Sequence, residues 1–289
     1  MNDNKQNFVA PYLKGVGQIM LQDNLWTGLF FLAGIFFDSF IIGIAAVLSV
    51  VTGTLTAKIL KFPEENINSG LYGFSATLVG VALTTFFSPQ PIIWIAIIAG
   101  SALAAIFQNF LISKKLPGFT FPFIVVTWGL YYIFTHLYVV GAPAAIAANT
   151  VDYNLDDIVL ASRGFGEIIF QASIIAGILF FIGVFIANPV AALYGLAACV
   201  ISSIVAYFLH EPITDIQQGM FSFNAVLCAI TFSGVSQKNG IFVLLSVLLA
   251  IAIEVLMIKF SLTPYLTFPF VGASWIVLAI KKILPEAYR

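Results

Sequence analysis

Thr120 and Thr267 occupy the same place in two copies of one phrase. Residues 116–128 read LPGFTFPFIVVTW and residues 263–275 read TPYLTFPFVGASW. Each threonine lies between two prolines, Pro117 and Pro122 in one copy and Pro264 and Pro269 in the other. Proline removes a backbone donor and disfavours helix at the residue before it, so the chain must break there. A hydroxyl at such a break can donate or accept a hydrogen bond; its alternative task is to cap the following helix. Gln18 and Glu167 form a second pair. Each follows Gly-x-Gly and opens a short stretch, QIMLQ or EIIFQ. Such a stretch is too short to cross a membrane. It is expected to be re-entrant, with its free carbonyls forming a ladder of acceptors; the plainer alternative is a polar residue at the interface ahead of a helix. Phe74 and Phe223, with Leu78 and Leu227 one helical turn on, form a third group of matched apolar walls. With 29 phenylalanines in the chain, lipid contact or packing is their competing explanation. The chemistry on offer is hydrogen bonding beside flat apolar faces.

Residues of these kinds act only if the chain holds them away from water, and its composition says that it does. It is 61% hydrophobic and only 9% charged, with a mean hydropathy of +1.04, against about 25% charged in an ordinary soluble domain. Apolar stretches run over Leu29–Phe37, Phe40–Thr56, Leu71–Phe87, Ile92–Ile112 and Phe121–Val140. They run again over Ile168–Ala187, Val190–Leu209, Met220–Gly234, Ile241–Ile258 and Phe268–Ile280. A membrane helix needs about 20 mostly apolar residues, so several stretches are full spans and others are short or broken. The expected class is an all-α integral membrane protein with about ten crossings.

The first 14 residues are polar and carry no signal-peptide pattern. The longest polar connection is expected over Gly141–Gly164. Cys199 and Cys228 fall inside apolar spans and are expected to pack rather than pair. A net charge of −1 gives no footprint for nucleic acid. There is no phosphate-binding glycine loop and no metal-ligand spacing, so neither a metal nor a cofactor is expected. His136 and His210 are isolated at span ends, which speaks against an enzyme.

The matches extend along the chain. With an offset of 149, Gly15-Val16-Gly17-Gln18 falls on Gly164-Phe165-Gly166-Glu167, Gln22 on Gln171, Gly28 on Gly177 and Pro63 on Pro212. SGLYGFSATL (69–78) falls on QGMFSFNAVL (218–227), and a two-residue deletion then brings Pro117, Thr120, Pro122, Phe123 and Trp128 onto Pro264, Thr267, Pro269, Phe270 and Trp275. The organisation expected is a tail over residues 1–14, a first repeat over 15–140, a central extracytoplasmic loop over 141–163 and a second repeat over 164–289. Each repeat holds five spans and one re-entrant segment. Five is odd, so the second half must enter from the opposite side, giving inverted repeats with a path at their interface.

The positive-inside rule tests this. On one side fall Lys5, Lys14, Lys58, Lys61, Lys114, Lys115, Lys238, Lys281, Lys282 and Arg289; on the other only Arg163 and Lys259. That asymmetry puts both termini in the cytoplasm. Asp152, Asp156 and Asp157 then form a solvated outer loop. Glu254 and Lys259 have no evident mates in the first half; Lys259 can snorkel, and Glu254 is expected in a subunit contact or a local polar pair. Trp128 and Trp275 match, with no role assigned beyond packing.

With its doubled Pro-Thr-Pro-Phe phrase, its Gly-x-Gly-Gln/Glu and its GLYGF stretch, the sequence resembles the urea transporters, more closely the compact bacterial urea channels, over its whole length. The resemblance implies a homotrimer in the cell inner membrane with one pore per protomer. It implies that urea passes a slot between stacked phenylalanines, along ladders of oxygen atoms, past a constriction at Thr120 and Thr267. It places Gln18 in the cytoplasmic vestibule and Glu167 in the outer one, with Phe74, Leu78, Phe223 and Leu227 as slot walls. Leu21 stands where its mate is Phe170, leaving one vestibule without that ring. The expected mode is passive flow down a gradient. The rivals are an ion-coupled carrier of a small neutral solute, a membrane-embedded enzyme, and a channel that also passes water or ammonia.

Overall fold

The computed structural model describes residues 8–143 and 157–284. Among them every regular element is a helix. The first series is α1 (Ala10–Gly17), α2 (Leu25–Asp38), α3 (Phe40–Ile59), α4 (Glu64–Asn68), α5 (Phe74–Phe86), α6 (Pro91–Ser113) and α7 (Phe121–Tyr132). The second is α8 (Asp157–Glu167), α9 (Ile174–Ala187), α10 (Pro189–Phe208), α11 (Ile213–Gln217), α12 (Phe223–Phe232), α13 (Gln237–Lys259) and α14 (Phe268–Ile283). α3, α6, α10 and α13 are long and apolar enough to cross a membrane. α5, α7, α9 and α12 are shorter apolar helices, and α1 with α2 makes a pair bent by 75°.

Local chemistry sets these boundaries. Asn24 caps α2, accepting from the Trp26 and Thr27 amides at 2.8 and 3.2 Å. Ser173, its mate, caps α9 at the Ala176 amide. Ser39 and Asn188 do the same for α3 and α10, and Ser236 with Asn239 forms a capping box on α13. Proline occupies the first turn of α6, α7, α10 and α14, where its missing donor is not needed.

The two series repeat down to the backbone. Every described residue with positive φ has a mate: Leu21 and Phe170, Lys61 and His210, Gly70 and Gly219, Lys115 and Ser261, Phe119 and Leu266. The register differs from the sequence alignment at one place. α6 and α13 are offset by 146, not 147, and the α7 and α14 starts by 147. Three residues are lost before α13, and one is regained as Thr263 in the loop before α14. Glu254 therefore does have a mate, Gln108, which the single two-residue deletion had hidden. The long polar connection is also shorter than expected, because residues 157–163 belong to α8. Lys5, Asp152, Asp156 and Arg289 lie outside the described residues.

Two seams join the series. Along the first, α2 packs on α9: Phe31 meets Phe180 edge-on at 5.2 Å, Gly34 and Gly183 leave room for these rings, and Thr27 Oγ1 donates to the Gly183 carbonyl at 2.6 Å. The second is the meeting of α7 with α14, which carries the threonines. Glycine allows the short helices to seat. Gly70 (φ +77°) and Gly219 (φ +82°) form the turns before α5 and α12, and a Cβ on either would strike the backbone of α1 or α8.

Candidate functional site

Thr120 and Thr267 take the N-cap positions of α7 and α14, yet neither side chain caps its helix. Their hydroxyls instead bond each other across the halves, Oγ1 to Oγ1 at 2.7 Å. Both are almost wholly buried, at 3% and 2% exposure. The residue before each, Phe119 or Leu266, holds a left-handed backbone with φ of 45° or 51°. A bulky residue in that region is an outlier that costs about 1–2 kcal/mol, and such strain gathers at functional positions. The break turns each threonine inward rather than back along its own helix.

The matched tryptophans fasten this junction. Trp128 Nε1 donates to the Pro264 carbonyl and Trp275 Nε1 to the Pro117 carbonyl, each at 2.7 Å. Each indole thus reaches the proline that opens the opposite break. Rings close around them: Phe121 lies edge-on to Trp275 at 5.0 Å, Phe119 to Phe270 at 5.2 Å, and Phe268 lies 5.6 Å from Trp128. Packing alone does not describe these tryptophans. A signal was available, since a partly buried indole N–H usually finds an acceptor and the prolines mark where backbone carbonyls leave the helical ladder.

Gln18 and Glu167 each stand where a short helix ends, and Gln18 also opens a single 3-10 turn, Gln18–Met20. α1 runs into Gly17 and α8 ends on Glu167, and the chain then turns through Leu21 or Phe170 with φ of 61° or 57°. Gly-x-Gly forms the last turn of each helix because those glycines are its seat: a Cβ on Gly17 would press on the Gln22 and Asn24 carbonyls, and one on Gly166 on the Gln171 carbonyl. The turns are tied alike, Gln22 Nε2 donating to Met20 O at 2.8 Å and Gln171 Nε2 to Ile169 O at 2.7 Å. Gln18 Nε2 donates to the Ser69 carbonyl at 2.9 Å. Glu167 is half-buried; the charged groups acting on it are Arg163, one turn back, and Asp38 at the end of α2. Arg163 also donates to the Gln217 carbonyl at 3.0 Å. No hydrogen bond joins Gln18 or Glu167 to the threonine pair among the described residues. Phe170 packs edge-on to Phe86 at 5.6 Å and Phe123 at 6.4 Å, whereas its mate Leu21 is partly exposed.

Phe74 and Phe223 are the first residues of α5 and α12, both buried, with Leu78 and Leu227 buried a turn further on. Phe223 stacks on Tyr265, centroids 6.1 Å apart and planes 14° from parallel. Its neighbour Asn224 donates to the Leu266 carbonyl at 3.5 Å, so the start of α12 is tied to the break that carries Thr267. Glu254 makes a local polar pair, accepting from Asn224 Nδ2 at 3.3 Å. His136 bonds Thr135 at 2.7 Å and stacks on Tyr132, and His210 is exposed. What the junction offers chemically is a buried hydroxyl pair with aromatic rings packed at the same breaks, and the ends of α1 and α8 offer an amide and a carboxyl group.

A family model described as urea transporter matches residues 9–282. Over 243 aligned residues the chain is 27% identical to urea transporter 1 of Rattus norvegicus, covering 78% of this chain and 63% of that protein. Urea transporter 1 of Capra hircus and that of Mus musculus are each 26% identical with the same coverage. The chain thus spans a little under two thirds of the length of these relatives.

Proposed function

The chain belongs to the urea transporter family, and from that premise we propose that it passes urea across a membrane, passively and down its gradient, between its two halves. The observation that carries this is the Thr120–Thr267 contact at 2.7 Å: two buried hydroxyls, one from each half, meet where both backbones break. Their hydrogen bond is exchangeable for bonds to a small polar solute. Urea is flat, neutral and rich in donors. A narrow passage walled by Phe74, Leu78, Phe223 and Leu227 strips water from its faces. Oxygens along one edge replace the lost bonds, where an unpaired polar group would cost about 2–7 kcal/mol. Gln18 and Glu167 serve as the polar groups of the inner and outer vestibules. Ions are rejected because no countercharge runs along the walls.

The proposed layout is two inverted repeats of five crossings and one re-entrant half-helix each. α2, α3, α5, α6 and α7 cross in the first half, their five mates cross in the second, and α1 and α8 are the half-helices. Both termini are cytoplasmic, and three protomers associate in the cell inner membrane, each with its own path. The matched backbone outliers and the equal lengths of α2 and α9, α3 and α10, α4 and α11, and α6 and α13 support this layout. Urea flux into proteoliposomes of the purified protein, with no ion gradient, tests the mode: flux there is the expected result, and flux that appears only with an imposed proton or sodium gradient would make the protein a coupled carrier.

A further inference from the structure

Glu254 is wholly buried in α13, at 0% exposure, and lies outside the path proposed above. A carboxyl group inside a membrane span is costly and normally serves a purpose. Its contacts are specific. Asn224 Nδ2 donates to Glu254 Oε2 at 3.3 Å and to the Leu266 carbonyl at 3.5 Å, while Asn224 Oδ1 accepts from the Phe270 amide at 3.2 Å. One amide group thereby joins α12, α13 and the start of α14, using both of its donors and one of its two acceptor lone pairs. The Tyr265 hydroxyl faces the same carboxyl group, and the Tyr265 ring lies on Phe223. Tyr265, Leu266 and Thr267 are consecutive. Two are held by Phe223 and Asn224, and Glu254 holds Asn224 from behind.

The first half lacks this arrangement at every point. Gln108 stands for Glu254, Ser75 for Asn224 and Gly118 for Tyr265. Among the described residues Ser75 Oγ and Gln108 Oε1 are buried without a hydrogen-bond partner, as Glu254 Oε1 is in the second half, so the halves differ in the bonds Asn224 makes through Glu254 Oε2, Leu266 and Phe270 and in the ring that glycine does not bring. Serine is too short to span the gap that asparagine closes. The difference falls beside two otherwise matched threonines, so it is not imposed by the repeat.

We propose that Glu254, through Asn224, is a positioning group that fixes Tyr265, Leu266 and Thr267 and so sets how wide a solute the second-half side of the path admits. This rests on the α7–α14 junction being the urea path. The test uses the purified full chain in proteoliposomes, with urea and N-methylurea fluxes measured side by side. Glu254→Gln keeps an acceptor for Asn224 and is expected to hold both fluxes within about twofold of wild type. Glu254→Met is expected to lower urea flux by about three- to tenfold, the equivalent of one hydrogen bond, and to raise the N-methylurea to urea ratio by at least about threefold. Asn224→Ser copies the residue at the mate position and is expected to shift the ratio likewise, including where the methionine variant does not assemble. Wild-type flux and ratio in Glu254→Met or Asn224→Ser would overturn the proposal, as would a glutamine variant as impaired as the methionine one. A wild-type protein that passes no urea would remove the path itself, and the proposal with it.

Discussion

A hydroxyl pair bonded at 2.7 Å can trade its mutual bond for bonds to a solute at small net cost, because a typical hydrogen bond contributes only about 0.5–1.5 kcal/mol net. Thr120→Val and Thr267→Val are therefore each expected to lower urea flux by about two- to tenfold. Glu167→Ala removes a carboxyl acceptor, whose bonds are stronger, and is expected to lower flux by more than about tenfold while leaving assembly intact. Stopped-flow flux with size-exclusion analysis of the same preparations checks both, and a larger loss at the threonines than at Glu167 would reverse this ranking. At this scale the sequence was legible wherever a residue type recurred. Threonine between two prolines had to sit at a break, and the doubling paired the two. What could not be read was the direction of each side chain. The same threonines were open to capping, and the left-handed turn at Phe119 and Leu266 is what sends the hydroxyls elsewhere. The indole bonds to Pro117 and Pro264 cross between halves, and no local pattern specifies that. Glu254 found its mate in Gln108 only when compensating loop changes, visible as helix starts and ends, fixed the register.

Helices here meet backbone to backbone, and that places limits on substitution. A Cβ on Gly28 would run into the Leu13 carbonyl and one on Gly177 into the Ser162 carbonyl, where α1 rests on α2 and α8 on α9; Gly129 in α7 has open space instead. Gly28→Ala and Gly177→Ala are expected to destabilise by about 1–3 kcal/mol through forced backbone shifts, while Gly129→Ala is expected to be neutral or slightly stabilising through helix propensity. Thermal unfolding in detergent measures all three, and equal melting temperatures across the set would contradict this packing. Long apolar runs made α3, α6, α10 and α13 plain in the sequence. The short helices were harder. α1 and α8 mix polar and apolar residues, so the run of hydrophobicity began after them, and the helices that lead into Gln18 and Glu167 went unread. α8 itself lay within what looked like a loop, because Asp157 and Arg163 disguised it.

For the whole molecule, inverted repeats require mates to face opposite sides. Lys61 and His210 are exposed mates, and the two native cysteines are buried. An impermeant maleimide added to intact cells is expected to label His210→Cys and to reach Lys61→Cys only after permeabilisation. Equal labelling of both from outside would rule out the inversion. The repeat itself was legible because two copies constrain each other. The central claim is that urea passes between the halves at the threonine pair. The most direct measurement is a density map of the protein bound to a heavy-atom urea analogue such as selenourea. The expected result is a ligand plane lying between Phe74 and Phe223, with N–H groups towards Thr120 and Thr267. Density confined to another cleft, with the threonine junction unoccupied at saturating ligand, would contradict it.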